Sequence, residues 1–206
     1  MGATLAPPRT EPAARIGPNA VIQLVAAMQA RWGERFAESL LAEATEYTPD
    51  TLPEAMIDEG EARALAHLLL DRVGAAAALP VLRDAGHRTA DYLLANRIPP
   101  PAQWVIRLLP RRLGLRLLLA AITRHAWTFA GSGRFVVRWV GTWPALVFEG
   151  CTMCRGLHGD RPMCDYYAGT FERLLAVLIS PAASVVEVEC QALGAATCRF
   201  RLDGMS

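Results

Sequence analysis

The chain predicts an α+β fold: N-terminal helices packed on a small antiparallel sheet of two hairpins, with a helix intervening between the hairpins. Three observations carry this. Apolar residues recur at three- and four-residue spacing up to about residue 130. After Gly131-Ser132-Gly133 they give way to β-branched and aromatic runs, and one further helical stripe then separates two strand pairs.

Taken in order, residues 1–18 hold Pro7, Pro8, Pro12 and Pro18 without an apolar core and are expected to be a flexible N-terminal segment. A single α+β domain is expected over 19–206, mainly helical over 19–130 and sheet plus helix over 131–203. From Asn19 to about Tyr47, Val21, Leu24, Val25, Met28, Trp32, Phe36 and Leu40 form one helical stripe. A short helix is expected at Thr51 to Met56. Glu61 to Arg72 and Ala78 to Ala95 are two more, with Gly74 and Gly86 as points of a break or a close helix contact, and Pro99-Pro100-Pro101 as a stop. Trp104 to Trp127, punctuated by Pro110, is rich in Leu and Arg and helical. Arg134 to Val140 and Ala145 to Phe148 read as a hairpin, Cys164 to Ile179 as a helix, and Ser184 to Gln191 with Thr197 to Leu202 as a second hairpin around Leu193-Gly194-Ala195.

A hydrophobic fraction of 52% over 206 residues can fill a sizeable core. The 21 basic residues are all arginine and face 20 acids, so the net charge is +1. That balance excludes a nucleic-acid-coating protein and a disordered acidic tail. The distribution is uneven. No Asp or Glu lies between Asp91 and Glu149, where Arg97, Arg107, Arg111, Arg112, Arg116, Arg124, Arg134 and Arg138 all fall, together with Trp104, Trp127, Trp139 and Trp143. The run Leu113 to Ile122 is interrupted by Arg116 and stops short of the roughly 20 apolar residues a membrane span needs. A cytoplasmic protein is expected.

Five cysteines are present, an odd number that points to thiols or metal ligands in preference to a disulfide framework. Cys151 and Cys154 form a CxxC, Cys164 follows, and Cys190 and Cys198 flank the turn of the last hairpin, where two strand ends meet. Thiolates suit zinc, which takes four ligands in a closed tetrahedron when structural. Free cysteines are also ordinary small buried hydrophobes, and both readings stand at this point.

The tail Val186-Glu187-Val188-Glu189-Cys190-Gln191-Ala192-Leu193-Gly194-Ala195-Ala196-Thr197-Cys198-Arg199-Phe200, preceded by Pro162-Met163-Cys164-Asp165-Tyr166-Tyr167-Ala168-Gly169, resembles the 4-vinyl-reductase domain of bacteriochlorophyll biosynthesis, whose fold is related to vesicle-tethering TRAPP subunits. Gly86 to Pro99 and His125 to Gly133 extend the resemblance over about residues 20 to 203. The resemblance implies a structural Zn2+ held by Cys164, Glu187, Cys190 and Cys198. In a regular strand Glu187 and Cys190 point to opposite faces, so a bulge or the strand end must rescue the geometry, or Cys151, Cys154 or His158 supplies the fourth ligand.

The resemblance also implies a role in converting divinyl tetrapyrroles to monovinyl ones, with a magnesium-porphyrin or protochlorophyllide-type tetrapyrrole and other bacteriochlorophyll-biosynthesis enzymes as partners. Vinyl reduction needs an electron donor, yet Gly131-x-Gly133 lacks a third glycine and precedes a strand, so no nucleotide cofactor is expected. A flat apolar ring with propionates calls for aromatic and Leu walls and arginines at the mouth. The candidate ligand-binding residues are Arg107, Arg111, Arg124, His125, Trp127, Phe129, Arg134 and Trp139. A carrier that presents the porphyrin to other enzymes is the first reading, the reductase itself the second, and a protein-interaction module without ligand the third. The Leu/Arg helix would also suit peripheral contact with an anionic membrane or a homodimer interface.

Overall fold

A computed structural model describes residues 14–141 and 143–205. It is an α+β fold, with helices α1 (Asn19–Trp32), α2 (Glu34–Ala44), α3 (Glu59–Val73), α4 (Ala75–Asn96), α5 (Pro100–Leu108) and α6 (Arg111–Arg124) preceding the main sheet. The stripe expected to run unbroken from Asn19 to Tyr47 is two helices. Gly33 divides them at φ 88°, a left-handed backbone conformation that glycine adopts without a Cβ penalty. The Thr51–Met56 helix does not form. Pro49–Thr51 makes one 3-10 turn, capped reciprocally by Thr48 and Thr51, and Leu52, placed before Pro53, turns to ψ 146° because the proline ring disfavours helical backbone in the residue before it.

Residues 14–18, expected within the lead-in, are built into the fold. β1 (Arg15–Ile16) pairs antiparallel with β2 (Ile57–Asp58), Ile16 is buried in the core, and the Gly17 N–H donates to the Thr128 carbonyl at 2.7 Å. Residues 1–13, the rest of the expected lead-in, lie outside the described residues.

The main sheet contains β3 (Arg134–Val140), β4 (Trp143–Glu149), β5 (Ser184–Glu189) and β6 (Cys198–Asp203) in the order β3-β4-β6-β5, all antiparallel. The two expected hairpins thus join edge to edge through β4 and β6. Helix α7 (Asp165–Leu178) covers the sheet. Its Phe171 ring meets Phe135, Phe148 and Phe200 from three strands, and Tyr167 stacks on Phe148 at 4.4 Å. On its other side α7 crosses α4 at close range. A Cβ added at Gly86 would overlap the Tyr166 carbonyl, and one added at Gly169 would overlap the Arg83 carbonyl. These reciprocal glycines let the two helices approach backbone to backbone, and Arg83 locks the crossing by pairing with Asp165 and Glu172 of α7, both at 2.9 Å.

Candidate functional site

Two places gather the chemistry, a buried cluster at one end of the sheet and an open groove between α6 and β3. The cluster forms because β6 begins at Cys198 directly opposite Phe148 of β4, so the loop leaving β4 turns over Cys198 and brings Cys151 and Cys154 with it. Cys164 caps the N-terminus of α7, and Cys190 ends the strand segment after β5. The β5–β6 register shifts between Glu187, opposite Phe200, and Glu189, opposite Arg199, leaving Val188 as an extra residue. This β-bulge interrupts the two-residue alternation, and Glu187 and Cys190 are both buried toward the cluster.

All five thiols are buried. Sulfur–sulfur separations are 3.3 Å for Cys154–Cys198, 3.5 Å for Cys151–Cys164, 3.7 Å for Cys164–Cys198 and 4.0 Å for Cys190–Cys198. Two quartets of donor atoms each lie within 4.8 Å of one another: Cys151, Cys154, Cys164 and Cys198, and Cys164, Glu187, Cys190 and Cys198. These residues can hold a metal ion. Glu187, only 8% exposed, accepts the Cys164 N–H on Oε2 at 2.9 Å, while its Oε1 is buried without a hydrogen-bond partner among the described residues. An orphaned carboxylate oxygen beside thiols is what a ligand position without its cation looks like. Burial pushes the Glu187 carboxyl up, and the hydrogen bonds from Cys164 and its neighbours only partly oppose that. Contacts with Cys151 and the other thiols, with burial, hold Cys164 well above the ordinary thiol range, whereas Cys154, hydrogen-bonded first by Cys151 and then by Cys164, is held below it. Joint ionisation of such a cluster requires a cation. His158 is exposed and outside both quartets.

A second buried carboxylate, which the sequence did not single out, braces this loop. Glu59, in the first turn of α3, accepts from the Ser132 N–H at 2.8 Å, the Ser132 hydroxyl at 2.6 Å, the Thr152 hydroxyl at 2.9 Å and Arg155 at 2.9 Å. Burial alone would raise its carboxyl, but these donors outweigh it and hold it below the usual value. Glu59 therefore ties the Gly131-Ser132-Gly133 turn and the residue between the CxxC cysteines to the helical layer.

The groove, of about 630 Å³, is lined by Arg116, Leu119, Ala120, Thr123 and Arg124 of α6 and by Val137 and Trp139 of β3. The Arg116 guanidinium lies 5.4 Å from the centre of the Trp139 ring. Among the described residues neither Arg116 nor Arg124 forms an ion pair, whereas Arg134 and Arg138 share Glu149 at 3.6 and 2.9 Å. Of the eight residues the sequence put forward for a ligand, the fold brings Arg124 and Trp139 into this groove. Arg107 and Arg111 border a smaller cleft of about 290 Å³ between α5 and the end of α7. Phe129 packs in the core against Phe135, Phe148, Tyr167 and Phe171. Arg134 is paired with Glu149, and His125 and Trp127, exposed after α6, are outside the groove lining. Arg116 was missed as a candidate, and its signal was its place about two helical turns before Arg124 on an acid-free helix. No helix among the described residues is long and apolar enough to cross a membrane.

The class of protein follows from its relatives. The family model of the 4-vinyl-reductase domain matches residues 144–203, the stretch that carries β4, α7 and the hairpin cysteines. The fold is shared with H-NOX proteins, among them one from S. oneidensis (TM-score 0.59, 11% identity, 91% of this chain and 98% of that one) and one from K. algicida (TM-score 0.57, 10% identity, 91% and 95%). The chain belongs to the family of the bacteriochlorophyll synthase 23 kDa chain: it is 45% identical over 191 residues to that protein of Cereibacter sphaeroides, covering 91% of this chain and 90% of the relative, and 41% identical over 204 residues to that of Rhodobacter capsulatus, covering 98% and 92%.

Proposed function

We propose that this protein acts in bacteriochlorophyll biosynthesis by binding a magnesium-porphyrin intermediate in the α6/β3 groove and presenting it to the pathway's enzymes, around the divinyl-to-monovinyl conversion. The observation that carries the reading is the groove itself, in which apolar walls and the Trp139 face lie between two arginines without acidic partners. A tetrapyrrole would stack on the indole and set its propionates against the guanidinium groups, which engage carboxylates bidentately. The volume is within the range of small-molecule sites. The names of the relatives supply the pathway, and among the H-NOX structures of this fold is one that probes heme distortion in that family (TM-score 0.57), which makes a tetrapyrrole a fitting occupant. Zn2+ at Cys164, Glu187, Cys190 and Cys198 would serve as a structural pin that joins α7 to the last hairpin.

Titration of the purified protein with a magnesium porphyrin tests this reading. A shift in the Soret band, without turnover of a divinyl porphyrin in the presence of NADPH, is expected. Turnover by the chain alone would make it the vinyl reductase, and no spectral change would make it an interaction module without ligand.

A second reading concerns where the carrier works. Trp104 is 65% exposed, and Leu108, Leu113 and Leu117 stand exposed on α5 and α6 beside Arg107 and Arg112. Apolar side chains interleaved with arginines favour docking on an anionic membrane surface. Co-sedimentation with anionic but not zwitterionic vesicles is the expected result.

A further inference from the structure

We infer that the five cysteines and Glu187 form a binuclear metal site in which Cys164 and Cys198 bridge two divalent ions. The inference rests on the metal reading above and adds a second ion to it. The two donor quartets overlap in Cys164 and Cys198 and in no other residue. With those two thiolates shared, Cys151 and Cys154 complete one tetrahedron and Glu187 and Cys190 complete the other. Six side chains thus give each ion four ligands, with no donor left over and no position lacking.

The distances agree. A zinc–sulfur bond of about 2.3 Å makes the edge of a regular tetrahedron about 3.8 Å. The observed sulfur pairs at 3.3, 3.5, 3.7 and 4.0 Å bracket that edge, and they include the pair that would bridge, Cys164–Cys198 at 3.7 Å. An iron–sulfur cluster would attach each thiolate to a different iron across inorganic sulfide and hold the thiolates farther apart. A single ion in the Glu187 quartet would leave Cys151 and Cys154 as buried thiols in contact with its ligands, contributing nothing to it. One ion in the all-cysteine quartet would instead leave the Glu187 carboxylate desolvated with Oε1 unpartnered. Two ions satisfy both halves. Five thiolates and one carboxylate against two divalent cations leave excess negative charge, and the Gln191 N–H, 3.3 Å from Cys198 Sγ, and the N-terminus of α7 at Cys164 are placed to offset it.

Metal analysis of the full chain, purified without chelator in the presence of Zn2+, should give two zinc ions per chain. One ion would overturn the binuclear site while leaving the structural zinc of the proposed function in place, and none would overturn both. The Cys154→Ser variant should lose one ion and keep the other, and retention of the wild-type metal content would contradict the assignment. Because that variant can fail for reasons of folding, 113Cd NMR of the wild-type protein loaded with Cd2+ gives an independent result. Two resonances split by coupling through shared thiolates are expected, and a single resonance, or two without coupling, would overturn the bridge.

Discussion

The cysteine cluster and the α6/β3 groove use opposite means to gather their residues. In the cluster every donor is withdrawn from water, and the ligands come from Cys151 and Cys154, from Cys164, and from the stretch Glu187 to Cys198. The groove is built from one helix and one strand that pack side by side, and its charged groups face solvent. Converging buried thiols are costly to hold together without a cation, so the cluster couples metal to folding. Exposed arginines without acidic partners contribute little to folding and are free to serve a ligand. The difference separates a part of the molecule that acts through stability from a part that acts through recognition.

The largest effect expected from breaking that contrast follows loss of a shared thiolate. Cys198→Ser should abolish metal binding and lower the melting temperature by more than about 10 °C, given about 2–4 °C per kcal/mol for a chain of this size; calorimetry with and without chelator measures it. Next is Glu59→Gln, which removes a charged acceptor from Ser132, Thr152 and Arg155 and should cost about 2–3 kcal/mol at pH 7 in urea unfolding. The pH dependence has a definite sign. A carboxyl lowered in the folded state contributes its stability above its unfolded value of about 4.3 and loses it as pH falls through the lower folded value. The gap between wild type and Glu59→Gln should therefore close below about pH 4.

Gly86→Ala tests the helix crossing beneath both regions. Alanine gains helix propensity of up to about 1 kcal/mol, but its Cβ meets the Tyr166 carbonyl, and overpacking against backbone costs about 1–3 kcal/mol. A net loss of about 1–2 kcal/mol in urea unfolding is expected. The smallest stability effect belongs to Arg124→Ala, within about 0.5 kcal/mol of wild type, although it should weaken magnesium-porphyrin binding about tenfold in a Soret titration.

Much of this was legible where the determinant is local. Proline and glycine positions gave the ends of α4 and the split at Pro110, and hydrophobic spacing gave every main helix and strand. The cysteines announced themselves by the CxxC and by flanking a turn. The side that Glu187 faces was not legible, because it depends on the bulge at Val188, which the alternation of side chains does not encode. The approach of Cys151 and Cys154 to Cys198 depends on β4 pairing with β6, a long-range contact. Glu59 looked like an ordinary first-turn helix acid, since nothing near it in sequence marks Ser132 or Thr152 as partners. β1 and β2 are too short to leave a pattern. In the acid-free segment composition pointed to the right region, but Phe129 went to the core and Arg134 to Glu149, because only the tertiary fold decides which aromatic fills the interior and which arginine meets an acid.

The claim that the groove reads a tetrapyrrole through its carboxylates is tested most directly by comparing a magnesium porphyrin bearing free propionates with its dimethyl ester. Both ligands would be titrated against wild type and the Arg116→Ala/Arg124→Ala double variant. The free acid should bind wild type at least about tenfold more tightly than the ester, a difference of about 1.4 kcal/mol, and the double variant should not distinguish them. Equal affinity of wild type for acid and ester would contradict the account.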